Sequence, residues 1–221
     1  MMVQSTGLDK NMSPLDIGQL PEFYQGLSNA SILIVGNGPS AAGRELGEQI
    51  DSFDSIVRIN NYVTDKMESS VGSRTDLWVN GANQGLKKRS QLPPNILVMI
   101  PPEVLRYKGD AIYDRIKKRL RTSDYTMLPL PTMEAMEQSC GLTRPTTGFF
   151  AIYFFHQLGL DVTIHGFDFF VGSKGHYFDN PLSRWLKDKG IIKKAAKHDI
   201  AGEKAFIEGL IKAGEIKRLV S

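Results

Sequence analysis

The chain of 221 residues contains a single cysteine, Cys140, which excludes an internal disulfide. The first thirty residues carry neither a basic-then-apolar leader nor an apolar run long enough to span a bilayer. We therefore expect a cytoplasmic protein, with the inner face of a membrane as its other address. No Asp-x-Asp occurs to hold a divalent ion on a diphosphate, and no two of the four histidines have the short spacing of a local metal site. No metal and no cofactor are expected. Charge of one sign is also scarce, since 27 basic residues against 24 acidic ones leave +3, too little to imply a nucleic-acid partner. Repeats and low-complexity tracts are missing, which excludes solenoids and arrays.

What is present is an apolar content of 41%, enough for one domain with a full-sized core. Strand-like runs at 31–36, 55–60, 74–80, 95–100 and 161–165 alternate with helix-like stretches near 40–50, 110–121, 132–139, 148–159 and 200–213. That alternation predicts an α/β fold, a single Rossmann-like domain whose mainly parallel sheet is flanked by helices. Residues 1–28 read as a loose lead-in, 29–221 as the domain, and the glycine- and proline-bearing stretch 168–197 as a lid. Basic residues cluster at 87–89, 115–121 and 184–197. At the second cluster Ile112, Ile116 and Leu120 recur at helical spacing, so its cations belong on a solvated face; the third lies beside His198, where an anionic acceptor or peripheral membrane contact is open.

Four short stretches carry the chemistry. Ser31-Ile32-Leu33-Ile34-Val35 runs into Gly36-Asn37-Gly38-Pro39-Ser40, a turn where backbone N–H groups are expected to converge on an anion. Gly36 and Gly38 permit close approach, and the Asn37 amide can meet a phosphate oxygen. A third glycine is missing, because position 41 is alanine, and Asp51 and Asp54 come too early for a ribose ligand, so the dinucleotide fingerprint is not satisfied. A turn without a ligand is the alternative. Pro145-Thr146-Thr147-Gly148 precedes an apolar helix, where the hydroxyls either cap that helix or contact a ribose or phosphate. The strand to His165 delivers Gly166-Phe167-Asp168 to a carboxyl end, the place where open α/β sheets bind ligands, with the aromatic able to face a base. His176-Tyr177-Phe178-Asp179 sits in a glycine-flanked loop, and His198 precedes a helix carrying Glu203. For either histidine an exposed ring or a helix cap is the bland alternative. His156 reads as a core or groove residue, and His165 is undecided.

The order and wording of these stretches resemble the sialyltransferases of glycosyltransferase family 29 over roughly residues 30–220. Ile34-Val35-Gly36-Asn37 through Asp51, Asp54, Val57-Arg58-Ile59-Asn60 and Arg74-Thr75-Asp76 is similar to the long sialylmotif. Pro145 through Phe167 is similar to the short one, His176-Tyr177-Phe178-Asp179 to the third, and His198-x4-Glu203 to the very short motif. The resemblance implies a variant GT-A-type fold and an inverting, metal-independent transfer of sialic acid from CMP-sialic acid to a glycan or glycolipid hydroxyl. It implies that Asn37 and Asn60 bind the donor phosphate and nearby sugar, that Thr146, Thr147 and Gly148 hold the cytidine monophosphate, that His176 contacts the phosphate, and that His198 is the general base. Glu203 is then a supporting residue. Family members read Gly-Asn-Ser-Gly where this chain has Gly-Asn-Gly-Pro, a wording shared with bacterial family 42 sialyltransferases. The two cysteines that join the long and short motifs are replaced by positions such as Ile32 and Gly159. These departures suggest a compact bacterial or viral enzyme and keep CMP-Kdo or another CMP-ulosonic acid open as donor, with a catalytically silent CMP-binding module as a further alternative.

Overall fold

A computed structural model describes residues 20–169, 177–178 and 198–219. Seven strands form one sheet: β1 (Ser31–Val35), β2 (Ser55–Ile59), β3 (Leu77–Asn80), β4 (Asn95–Val98), β5 (Thr126–Met127), β6 (Asp161–His165) and β7 (Lys217–Arg218). Their order is β5-β4-β3-β2-β1-β6-β7, and every neighbouring pair is parallel. The chain lays strands outward from β1 to β5 and then returns to the other side of β1 with β6. The direction reverses between β1 and β6, and such a switch opens a crevice beyond the carboxyl ends of the two strands.

Parallel strands need crossovers, and the helices that make them cover both faces. These are α1 (Glu22–Gln25), α2 (Gly47–Asp51), α3 (Glu68–Val71), α4 (Pro102–Lys108), α5 (Ala111–Leu120), α6 (Leu130–Cys140), α7 (Thr147–Gln157) and α8 (Ile200–Lys212). The period of two in β1 divides the core: Ile32 and Ile34 join the large cluster containing α7, while Leu33 and Val35 meet Leu46 and Ile50 on the α2 side. Helix α7 is buried from Phe149 through Phe155 without a break. A helix apolar on all sides must be covered on all sides. Here Phe206 of α8 packs edge-on against Phe149 and Tyr153, and Ser139 of α6 hydrogen-bonds the Tyr153 hydroxyl at 2.8 Å.

Several boundaries differ from the sequence expectation. The helix expected near 40–50 is reduced to α2, because Gly43 takes φ +99° and Pro39–Ala41 forms a single 3-10 turn. Residues 74–76 stay outside β3 because they brace the sheet from its end. The Arg74 guanidinium donates to the carbonyls of Asp51 and Phe53, and the Asp76 carboxylate accepts from Ile56 N at 2.8 Å. Of the expected lead-in, Tyr24 and Leu27 are buried and Tyr24 packs edge-on with Phe154, while residues 1–19 lie outside the described residues. The two-residue strands β5 and β7 are too short to give a sequence pattern. In α5 the structure follows the pattern: Ile112, Ile116 and Leu120 are buried, and Lys117 and Lys118 are exposed. Apart from 168–169 and 177–178, the expected lid lies outside the described residues. Among the described residues no helix is long and apolar enough to cross a membrane.

Candidate functional site

The glycine turn after β1 is built differently from an open anion cradle. The β1–β6 ladder continues past the strands, so Gly36 N donates to His165 O at 2.7 Å and Gly38 N to Gly166 O at 2.8 Å. Ser40 N donates to the Asp168 carboxylate at 2.8 Å, and the Ser40 hydroxyl bonds the same group. Three of the N–H groups expected to converge on a ligand are thus satisfied inside the protein. The glycines have a packing reason instead. A Cβ on Gly36 would lie 2.5 Å from Gly166 O, and Gly166 itself needs φ +70°. Gly36, Gly38, Gly166 and Asp168, expected to contact substrate, here clamp the ends of β1 and β6 together.

One layer further along the edge the side chains are less self-sufficient. Asn37 Nδ2 donates to Ile59 O at 2.8 Å, but its buried Oδ1 has no partner among the described residues. Asn60, at φ +49°, accepts from Gly81 N at 3.1 Å through Oδ1. Asn80 is fully buried at the end of β3; its Oδ1 accepts from Ala82 N, and its Nδ2 has no partner among the described residues. Buried polar atoms of this kind are uncommon, and each asks for an occupant. Thr147 faces the same layer, with its hydroxyl 2.9 Å from where a Gly81 Cβ would stand, so Gly81 keeps that approach open. The Phe167 ring reaches both Gly36 and Gly148, since a Cβ on them would stand 3.0 and 3.1 Å from it. Asn37, Asn60, Thr147, Gly148 and Phe167 therefore share one edge of the sheet. Asn80 and Gly81 were not singled out in the sequence; the available signal was a polar residue closing an apolar strand before a glycine.

Non-glycine residues with positive φ gather here as well. Asn60, Ala82, Arg144 and Phe169 all adopt it, at φ between +43° and +56°. For alanine, arginine and phenylalanine this costs about 1–2 kcal/mol each, and such strain concentrates at functional sites.

The second part of the site is a tie between α7 and α8. Thr146 caps α7, its hydroxyl accepting from Phe149 N at 3.2 Å. The same hydroxyl donates to Glu203 Oε2 at 2.7 Å, and Thr146 N donates to Glu203 Oε1 at 2.7 Å. Glu203 is a buried carboxylate, and burial pushes its pKa up to about 7 against the opposing pull of the two Thr146 bonds. Both of its oxygens thus hold Thr146. Asp199 caps α8 by accepting from Gly202 N at 2.9 Å. One residue earlier, His198 Nδ1 bonds Arg144 O at 2.7 Å. A carbonyl only accepts, so Nδ1 carries the hydrogen and Nε2 of the neutral ring holds the free lone pair. Arg144 is itself braced, its N donating to Glu137 Oε1 at 2.9 Å and its guanidinium pairing with Glu103 at 2.9 Å.

The remaining residues separate clearly. Tyr177 N donates to Asn37 O at 3.1 Å, and the Tyr177 hydroxyl bonds the Val63 carbonyl. The third motif therefore touches the first, while His176 lies outside the described residues. His156 pairs with Glu215 at 2.7 Å, away from these contacts. His165 is buried against Ala41 O, and burial lowers its pKa. Asp51 and Asp54 are structural: Asp51 accepts from Ser73 N and Arg74 N, and Asp54 from Ser31 N. Arg58 is fully buried and donates to Val71 O, Arg74 O and Thr75 Oγ1. Among the described residues no cluster of three metal-ligating side chains occurs.

An α/β fold with a parallel sheet places its ligand crevice beyond the carboxyl ends of the strands at the switch point, which is where this polar edge lies. The chain matches the model of glycosyltransferase family 29 (sialyltransferase) over residues 24–103 and 120–215, and it belongs to that family. It is 26% identical to a rat type 2 lactosamine alpha-2,3-sialyltransferase across 81% of this chain and 61% of that one. It is 23% identical to a human CMP-N-acetylneuraminate-beta-1,4-galactoside alpha-2,3-sialyltransferase across 86% of this chain and 57% of the relative. The chain thus spans about three fifths of the curated relatives it matches. A crystal structure of a mammalian sialyltransferase with Gal-beta-1-3GalNAc-ortho-nitrophenol superposes with a TM-score of 0.60 at 18% identity, covering 86% of this chain and 68% of that one. That likeness is one of fold.

Proposed function

We propose that the protein transfers sialic acid from CMP-sialic acid to a hydroxyl of a glycan acceptor, with inversion and without metal. The observation that carries the reading is the fixed tautomer of His198, a ring whose Nδ1–H is held by Arg144 O while Nε2 keeps its lone pair. The Thr146–Glu203 tie seats this histidine beside the Thr146-Thr147-Gly148 turn. Both features are what a positioned general base requires.

In the proposed step Nε2 of His198 accepts the proton of the acceptor hydroxyl as that oxygen bonds to the anomeric carbon. The carbon–oxygen bond to the phosphate breaks, its electron pair leaves with CMP, and the configuration inverts. Asn37, Asn60, Thr147 and Gly148 would hold the nucleotide, with the unpartnered Asn37 Oδ1 and Asn80 Nδ2 as its hydrogen-bonding positions. His176, which lies outside the described residues, would contact the phosphate, with Tyr177 beside it at Asn37. Metal independence is inferred from the missing Asp-x-Asp, and a compact bacterial or viral form from the Gly36-Asn37-Gly38-Pro39 wording. A cytoplasmic location is proposed on the composition, with the lone Cys140 a free, buried thiol.

The deciding experiment measures released CMP from CMP-Neu5Ac and CMP-Kdo, with and without EDTA. Turnover of CMP-Neu5Ac insensitive to EDTA is expected. Turnover of CMP-Kdo alone would move the donor to another ulosonic acid, and binding of CMP without release from either donor would make the chain a silent binding module.

A further inference from the structure

We propose that the hollow between residues 61–65 and Lys87-Lys88-Arg89 binds an anionic group carried by the acceptor glycan. This rests on the transferase reading above and adds to it the chemical class of the acceptor. The hollow has a volume of about 580 Å³, within the range of small-ligand sites, and its charged lining is three cations against one carboxylate, Asp65. None of the three cations forms an ion pair among the described residues.

The fold places the Lys87-Lys88-Arg89 cluster on a concave wall and fixes it there. Arg89 stacks 3.5 Å over the Tyr62 ring and donates through Nη2 to Tyr62 O at 2.9 Å. A guanidinium held flat on an aromatic face keeps its other in-plane donors oriented for an oxyanion. Lys87 N donates to Asn61 Oδ1 at 2.8 Å, which attaches the basic segment to the residue after Asn60. Lys87 Nζ lies 6.0 Å over the Phe178 ring, and Phe178 packs edge-on against Tyr177, whose N bonds Asn37 O. The hollow therefore shares a wall with the edge where we place the nucleotide. A CMP-linked ulosonic acid brings one phosphate and one carboxylate, both close to its anomeric carbon. Three further cations in an adjoining hollow suit a second molecule that brings its own negative charge.

The test compares lactose with lactose sulfated on its reducing-end sugar as acceptors for the full chain. A charge-assisted contact predicts a KM about tenfold lower for the sulfated acceptor. In Lys87→Ala/Lys88→Ala, two exposed positions, that preference should vanish while acceptor-free donor hydrolysis is unchanged. Equal KM values in the unsubstituted protein would overturn the proposal. So would a raised donor KM in the double variant, which gives the hollow to the donor, or a loss confined to phosphatidylglycerol vesicle binding, which gives it to a membrane. If no donor is turned over, the transferase reading fails by itself. Titration of the two lactoses by calorimetry then decides the hollow separately, with tighter, Lys87/Lys88-dependent binding of the sulfated one expected and equal binding overturning it.

Discussion

The turn after β1 and the turn before α7 have similar compositions of small and polar residues but opposite relations to their surroundings. At Gly36–Ser40 three N–H groups are taken by His165, Gly166 and Asp168, so the backbone of the turn is closed against the end of β6 and only the Asn37 side chain keeps an unpartnered atom among the described residues. At Thr146–Gly148 the backbone is pinned from behind by Glu203, while the Thr147 hydroxyl faces Gly81 at the sheet edge. A glycine-rich turn shows that two backbones come close. Whether it also donates to a ligand depends on which backbone arrives first.

Four substitutions can break or sharpen this contrast. The largest effect is expected for His198→Ala on the α7–α8 side, where loss of a general base should cut turnover by about a hundred- to ten-thousandfold with CMP affinity nearly unchanged. Retained turnover in a CMP-release assay would remove His198 from the chemistry. Next is Glu203→Gln. Because the folded protein holds the Glu203 proton up to about pH 7 and the unfolded chain releases it near 4.5, the folded state binds more protons between those values. Stability from this group is therefore fully present below pH 4.5 and falls as pH rises toward 7, by on the order of 3 kcal/mol. Denaturant melts of Glu203→Gln should lack that decline, and its turnover should fall less than that of His198→Ala. A Gln variant with the same pH slope would mean that Glu203 is not the buried group responsible.

On the closed side, Gly36→Ala should destabilise by about 1–3 kcal/mol, because the new methyl meets a backbone oxygen that cannot swing aside. An unchanged melting temperature would show that β1 and β6 are not clamped there. The smallest effect is expected for His156→Gln. Its pairing with the half-exposed Glu215 contributes about 1 kcal/mol or less, and CMP release should be unaltered. A large loss of activity would bring His156 into the site and blur the distinction between the two regions.

Much of the architecture was legible because burial leaves a periodic trace. The five longer strands and helices α5 to α8 follow from apolar runs and helical spacing, within a few residues at their ends. The edge strands β5 and β7 left no trace, since two residues cannot show a period. For the site, the motif order pointed to Asn37, Asn60, Thr146, Thr147, Gly148 and His198. It could not reveal that Asp51, Asp54 and Arg58 serve as braces. Their partners are brought to them only by tertiary packing, Ser31 through the β1–β2 pairing and Ser73 and Val71 through α3 packed beside α2. Nor could it show the carbonyl of Arg144 as the acceptor that sets the His198 tautomer, because every residue has a carbonyl and only the fold brings this one to the ring.

The amino-acid order alone determined the class of fold, the absence of disulfides and the identity of the histidine offered as base, all of which depend on residue types and their local spacing. The tertiary structure alone decided which N–H groups remain for a ligand, which carboxylates are structural and where the cations at 87–89 face. Those properties belong to pairs of groups far apart in the chain, and a polar group's availability is set by whichever partner the packed sheet delivers to it.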